Sequence, residues 1–585
     1  MFSFWRRSDS ARQASGLIAL VAIALAVRVR GIGFGLPLWS NYYVRPDETL
    51  LVIPAVELPA RLGNPGHLNY PALLIEVFAV LMRGVHALLA SGGAAFSLFL
   101  DDAGANVSRY FLVGRVVSAC CGAALAWVVY RIARRVTGPL PASLAAVWYA
   151  VSPLAVREAH FAVTDTPMSL LAACALLAAM RVFEAPARGG RRAVIVCGCL
   201  AGAAVATKYS AAVVVPALAV ALMWPRHELD LRARARQIGL FLAVAAATFV
   251  VLNPWLMLHP GALLTWARQL FVGIYRPRPA LIADSATSHG WLRAVEYAGL
   301  MPGYVVGCAC AAVGVAIGVV RCRRVADGRL AALILVALGW VALLAPAHTL
   351  PFRYLAPLLP LSAVLAGISL GALAGTSPRA WRTGLALLTG VAGLAVTAPV
   401  TWHLVNSLAM EDTRSEAGRW IAATVPASVP LVWIGAPESE PQIRETPASL
   451  RRRVDYVERT YGNVAARVID RVYRLALHAP TAADINAYEV YRNPEPSAVA
   501  GRRVCVIQAA YPSPTVITDT RLLAEWTRGR VLRTQTIGHP LPAGRHLLEP
   551  WDAFFLPLNL TQSVQPGPQF HIVIVERDVL PQRAP

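Results

Sequence analysis

Residues 110–135, YFLVGRVVSACCGAALAWVVYRIARR, decide the fold. An apolar run of about 20 residues matches the hydrocarbon thickness of a bilayer at the rise of an α-helix. This run extends from Tyr110 to Arg131 and closes on Arg134 and Arg135. Arginines just beyond a span mark its cytoplasmic end. Working outward, comparable runs recur at about 15–36, 141–157, 166–184, 192–207, 209–225, 237–257, 298–320, 329–347, 353–374 and 383–403, which predicts eleven spans.

Other arginine groups punctuate the array in the same way: Arg188, Arg191 and Arg192; Arg232, Arg234 and Arg236; Arg321, Arg323 and Arg324. Segment 71–90 is also apolar, but counting it as a span would put Arg131–Arg135 on the outer side. It therefore reads as an interfacial helix along the outer leaflet. Eleven spans leave the N-terminus inside and the C-terminus outside. Arg6, Arg7 and Arg12 precede the first apolar core, yet no small-residue cleavage site follows, so this stretch reads as a retained anchor.

The composition agrees. Of 585 residues 56% are hydrophobic and only 15% charged, with mean hydropathy +0.52. Soluble domains carry roughly 25% charged residues, so an ordinary soluble enzyme is excluded. The net charge is +21, but the arginines sit in short loops rather than on a basic stripe, which argues against nucleic acid. Of nine cysteines, only Cys505 lies in the polar tail, so that tail has no internal disulfide. The predicted fold class is a polytopic α-helical membrane protein with a C-terminal α/β domain. Residues 1–403 form the membrane domain, with an outer loop and juxtamembrane helices at about 37–109. A second outward segment covers about 258–297. Residues 404–585 form the extracytoplasmic domain, where strand-like runs (Leu431–Ile434, Arg503–Gln508, His571–Glu576) alternate with helix-like ones (Ser415–Thr424, Asp455–Leu477, Asp519–Arg530).

Four polar clusters fall on outer membrane ends under this topology. The first is Arg45-Pro46-Asp47-Glu48, which reads either as a helix start, with acids favoured by the helix dipole, or as a general base or metal-binding carboxylate. The second is His160 to Pro167, where Thr164 or Asp165 caps the next helix or Asp165 supplies a second site acid; Arg157 and Glu158 adjoin it. The third contains Lys208, followed by Tyr209. It is the single lysine in a chain whose other bases are arginines. A residue that only snorkelled to headgroups would be arginine here, as everywhere else, so a compact ammonium is read as functional. The fourth is Arg353-Tyr354, either an interfacial arginine with an aromatic belt or a phosphate-binding pair. Tyr70-Pro71 is a weaker fifth candidate. No spacing of zinc ligands, Walker loop or nucleophile elbow is present.

The chain resembles the bacterial GT-C glycosyltransferases, close to the protein O-mannosyltransferase-like family 39 and the lipid A aminoarabinose transferases. The resemblance runs from about residue 15 to 436. It rests on Asp47-Glu48, Tyr70-Pro71, Gly114-Arg115 to Arg135, Ala150-Val151-Ser152-Pro153 to Pro167, Ala206 to Tyr209, Asn253-Pro254-Trp255, Arg353-Tyr354 and Asp412-Thr413-Arg414 to Pro426. It implies a multi-pass protein of the bacterial inner membrane that takes a sugar from a polyprenyl-phosphate donor and passes it to an extracytoplasmic glycan, lipid or protein acceptor. Asp47 corresponds to the general base, Glu48 to an assisting or binding acid, and Asp165 to the second site acid. Lys208 and Arg353, with Tyr354, would hold the lipid phosphate; Arg45, Tyr70, His160 and Tyr209 would make other substrate contacts. No cofactor is required by the sequence, and a divalent metal at Asp47 and Asp165 stays open. A flippase or transporter would need charged residues along a path through the bilayer, or paired broken repeats, neither of which the sequence contains. A membrane scaffold with a periplasmic binding domain would leave the outer acids unexplained.

Overall fold

The computed structural model describes residues 2–37, 45–89 apart from 62 and 68, 106–185, 190–225, 230–261, 264, 268, 289–348 apart from 302, 351–375, 380–435, 439–461, 486–510 apart from 495, and 520–577 with breaks at 543–545 and 548–555. Arg188, most of 258–297 and residues 462–477 of the predicted helix-like run lie outside the described residues.

The chain is mostly helical. In order come α1 (Phe2–Val29), α2 (Pro46–Glu57), α3 (Leu73–Leu89), α4 (Val107–Val136), α5 (Pro139–Ala150), α6 (Pro153–Glu158), α7 (Asp165–Glu184), α8 (Arg191–Thr207), α9 (Val214–Leu222), α10 (Leu231–Val251), α11 (Pro254–Leu258), α12 (Gly290–Leu300), α13 (Tyr304–Val325), α14 (Gly328–Leu344), α15 (Leu358–Ala374) and α16 (Ala380–Leu408). Among the described residues five helices are long and apolar enough to cross a membrane.

Each predicted apolar run overlaps helical backbone, but five are not single helices. Run 209–225 opens as a 3₁₀ turn, Tyr209–Val213, and run 237–257 breaks at Leu252–Asn253 ahead of Pro254. Run 141–157 breaks at Val151–Ser152, because the residue before Pro153 is pushed out of the α region: Ser152 has ψ 120°. Run 298–320 breaks at Met301–Gly303, where Gly303 adopts φ +81°. Run 353–374 opens as a 3₁₀ turn, Phe352–Leu355, ahead of α15. Prolines begin α2, α5, α6 and α11 at a position whose N–H needs no partner.

In a lipid environment helices associate through close packing at small residues. Gly198 and Gly202 of α8 lie against Phe241 O and Ala245 O of α10, and Gly314 of α13 lies against Leu365 O of α15. The arginine groups gather at one end of these helices. There Arg321 donates to Val136 O at 3.1 Å, Arg135 meets Glu184 at 3.2 Å, and α8 begins at Arg191. The acids and Lys208 lie at the other end.

The tail folds as an α/β domain. Helix α17 (Thr413–Thr424) leads into β1 (Leu431–Ile434), followed by α18 (Pro447–Tyr461), β2 (Val490–Arg492), β3 (Arg503–Ala510), α19 (Thr520–Trp526), β4 (Arg530–Ile537) and β5 (Gln569–Glu576). The sheet order is β2-β1-β3-β5-β4, with β1 parallel to β2 and β3, and β5 antiparallel to β3 and β4. This domain is docked on the end that holds the acids. Leu556 and Leu560 pack with Leu404, Leu408, Phe34 and Phe161, and Gln442 donates to Leu36 O at 3.2 Å.

A Cβ at Gly314 would stand 2.0 Å from Leu365 O, whereas one at Gly239 meets nothing within 4 Å. Gly314→Leu is therefore expected to destabilise the purified protein by about 3 kcal/mol or more, and Gly239→Leu to leave it within about 0.5 kcal/mol, in thermal unfolding in detergent.

Candidate active site

Two buried ion pairs straddle Asp47. On its N-terminal side Arg45 donates to Glu158 at 2.7 Å, and Arg157 holds the other oxygen of Glu158 at 2.7 Å; all three side chains are fully buried. On its C-terminal side Glu48 receives Arg115 through paired bonds of 2.8 and 2.7 Å, and the backbone N–H of Ala162 donates to Glu48 at 2.7 Å. Arg115 also donates to Ile32 O at 2.9 Å and to Phe34 O. The Phe161 ring lies 5.5 Å from the Arg45 guanidinium and 5.2 Å from that of Arg115. The first turn of α2 is thus fastened at residues 45 and 48, and the short side chain between them is fixed in place.

Asp47 itself is only half-buried. Tyr70 OH donates to it at 2.9 Å, Arg353 approaches at 3.1 Å, and Arg45 Nε stands 4.0 Å away. Burial works to raise its pKa. Arg353, then Arg45 and Lys208, together with the Tyr70 hydrogen bond, outweigh that and hold the carboxyl below its ordinary value. Tyr70 is pushed the other way, by burial and by the Asp47 charge, and stays a protonated donor. Its loop is anchored by Asn253, which accepts from Ala72 N at 2.8 Å.

Lys208 ends α8 in an extended conformation and reaches Asp165, at the start of α7, at 2.7 Å. Its ammonium lies 4.8 Å from the Tyr354 ring centre, and the Arg353 guanidinium lies 5.6 Å from the same centre. Asp47, Tyr70, Asp165, Lys208, Arg353 and Tyr354 therefore come together from five separate segments.

Not every predicted residue joins them. Glu48 is almost wholly buried against Arg115 and holds the backbone. His160 is buried behind the site, with its ring nitrogens 2.7 Å from Val156 O and 2.9 Å from Arg30 O. Arg45 serves Glu158. Tyr209 follows Lys208 at the head of a 3₁₀ turn and is half-buried. The positioning residues Arg115, Arg157 and Glu158 had a readable signal: a charged residue inside or at the end of an apolar helix needs a partner.

The donor set does not suit a divalent metal. Asp47 and Asp165 each already face a cation, and Arg45, Lys208 and Arg353 would repel another. Counting the named pairs, five cations (Arg45, Arg115, Arg157, Lys208, Arg353) face four carboxylates (Asp47, Glu48, Glu158, Asp165). The fifth cation belongs to the buried Glu158 group, which holds two arginines, while Lys208 and Arg353 each face one carboxylate at the half-open side.

Removing one partner of a buried pair leaves the other charge uncompensated, at roughly 3–5 kcal/mol. Glu158→Gln is expected to lower stability by that amount in thermal unfolding. Glu296→Gln, in the part-exposed pair with Arg293 at 2.9 Å, is expected to change it by less than about 1 kcal/mol.

Comparison with known proteins bears on the same segment. Residues 106–257 match the family described as dolichyl-phosphate-mannose-protein mannosyltransferase. No curated protein matches the chain by sequence. Among solved structures, ArnT from Cupriavidus metallidurans bound to undecaprenyl phosphate is 13% identical, with TM-score 0.47, covering 95% of this chain and 97% of that one. The Archaeoglobus fulgidus oligosaccharyltransferase is 13% identical, with TM-score 0.43 and 71% of this chain covered; the match spans 58% of that enzyme's length. The S. cerevisiae Pmt1–Pmt2 complex bound to the sugar donor is 16% identical, with TM-score 0.32, covering 42% of this chain and 34% of that one. The segment that supplies Arg115, Glu158, Asp165 and Lys208 thus lies within the stretch that matches the dolichyl-phosphate-mannose-protein mannosyltransferase family.

Proposed function

We propose that the chain transfers a sugar from a polyprenyl-phosphate donor to an acceptor hydroxyl, at the membrane face opposite its arginine-rich helix ends. In this reading it is a bacterial inner-membrane protein with eleven spans, its N-terminus cytoplasmic and its C-terminal domain outside. The observation that carries the reading is the half-open Asp47 carboxylate beside two cations, Arg353 and Lys208, that both lie within 6 Å of the Tyr354 ring centre.

The acceptor oxygen attacks the anomeric carbon. The bond from that carbon to the phosphate oxygen breaks, and its electron pair leaves with the polyprenyl phosphate. The hydroxyl proton passes to Asp47. Lys208 and Arg353 stabilise the charge that grows on the departing phosphate, a preorganised electrostatic contribution commonly worth about 10²–10³ in rate. Tyr70 orients Asp47 by donating to the oxygen not facing Arg353. Glu48 and Glu158 act through the backbone and through Arg45. The acceptor is a glycan, lipid or protein hydroxyl outside the cytoplasm.

Asp47→Asn keeps the shape and removes the base. It is expected to lower transfer from a radiolabelled polyprenyl-phosphate sugar by about 10²–10⁴ while the protein still inserts. Unchanged transfer would remove Asp47 from the mechanism. Lys208→Arg keeps the charge but replaces a compact ammonium with a broad fork, and should reduce transfer about tenfold or more. Because kcat/KM reports groups of the free enzyme, an Asp47 held below the usual carboxylate range, roughly 3.9, predicts that kcat/KM stays level as the pH falls to about 4. An acid limb near pH 6 would assign the base to another group.

A further inference from the structure

The two cations read as the phosphate seat both face carboxylates of the same site. Arg353 is spent on Asp47 at 3.1 Å and Lys208 on Asp165 at 2.7 Å. The two pairs are independent in sequence, arising from α2 and the 3₁₀ turn in one case and from α7 and the end of α8 in the other. Yet both cations border one aromatic ring, Tyr354, within 6 Å of its centre. An anion held between the two cations beside that ring meets both. It competes with the carboxylate already held by each cation for the same positive charge.

We propose that Asp47 and Asp165 form an electrostatic latch on the phosphate seat: the donor's phosphate binds by displacing both carboxylates from their cations, and this displacement releases Asp47 to act as base. The proposal rests on the donor-phosphate reading above and adds an order of events. Before the donor arrives, Asp47 is a salt-bridged anion. Once the phosphate holds Arg353, Asp47 keeps the Tyr70 hydroxyl and the more distant Arg45, and its lone pairs turn to the acceptor. Proton abstraction from the acceptor before donor binding is then disfavoured by the Arg353–Asp47 contact. The clamps at Arg45–Glu158 and Glu48–Arg115 take no part in the exchange, so the backbone stays in place while the partners of the two cations change.

The latch makes a prediction opposite to that of a simple binding role for the acids. Binding of a polyprenyl phosphate without sugar is measured on the full chain in nanodiscs, each variant being checked for an unchanged gel-filtration profile. Asp165→Asn and Asp47→Asn are each expected to tighten binding about five- to tenfold, because the competing carboxylate is gone, although Asp47→Asn also lowers transfer. Lys208→Ala and Arg353→Ala are expected to weaken it by tenfold or more. Unchanged or weaker binding in both Asn variants, with Lys208→Ala still weaker than wild type, overturns the latch and leaves the donor reading intact. Equal binding in wild type, Lys208→Ala and Arg353→Ala overturns the donor-phosphate reading itself. Should Asp47→Asn lose its folded profile, Asp165→Asn decides the matter through the second pair.

Discussion

A guanidinium carried on a bilayer-length helix must find a carboxylate at the helix end, and the pairing of Arg115 with Glu48 is the constraint on which the site depends. Arg115 is the one charge within the apolar part of α4, and it is almost wholly buried. By taking both oxygens of Glu48 it draws the first turn of α2 onto the bundle. Its remaining donors hold the carbonyls of Ile32 and Phe34 just after α1. One side chain thereby ties three segments. The same logic repeats at Glu158, which gathers Arg45 and Arg157. Such pairs contribute little net stability over apolar packing, but they are costly to break and specific in geometry. Asp47 inherits that geometry from its two neighbours in sequence.

The order of parts along the chain follows from this. Sites that must contact both a lipid-borne phosphate and a watery acceptor belong at a membrane end, where charged side chains are tolerated. The bundle supplies that end from α2, α7, α8 and the 3₁₀ turn before α15, each ending or starting at the same level. The C-terminal domain closes over part of it through Leu556 and Leu560, which share a cluster with Phe34 and Phe161. Because Phe161 also lies between Arg45 and Arg115, the docked domain is mechanically continuous with the clamps around Asp47.

Much of the helical array was legible because a bilayer imposes a length and forbids open backbone, so hydropathy carries the signal. The arginine groups at helix ends were legible for the same reason. The breaks at Ser152 and Gly303 were harder, since a proline or glycine in an apolar run is tolerated in many membrane helices. Of the site, Asp47, Tyr70, Asp165, Lys208, Arg353 and Tyr354 could be singled out from residue type and membrane level. The division of labour among the acids could not. Asp47 and Glu48 are adjacent and chemically alike, and only their facing toward Arg353 or Arg115 separates a half-open carboxylate from a buried anchor. His160 and Arg45 read in sequence as substrate contacts, and the structure gives them buried partners remote in sequence, Arg30 O and Glu158, whose approach no local pattern records. Lys208 stood out because arginine serves everywhere else.

The central claim is that Lys208 and Arg353 seat the donor's phosphate next to Asp47. The most direct measurement is a cryo-EM map of the chain in nanodiscs with a polyprenyl phosphate bound. The account predicts phosphate density beside Tyr354, within hydrogen-bonding distance of both Lys208 Nζ and the Arg353 guanidinium. Phosphate density at another membrane end, with the Arg353–Asp47 and Lys208–Asp165 pairs intact, would contradict it.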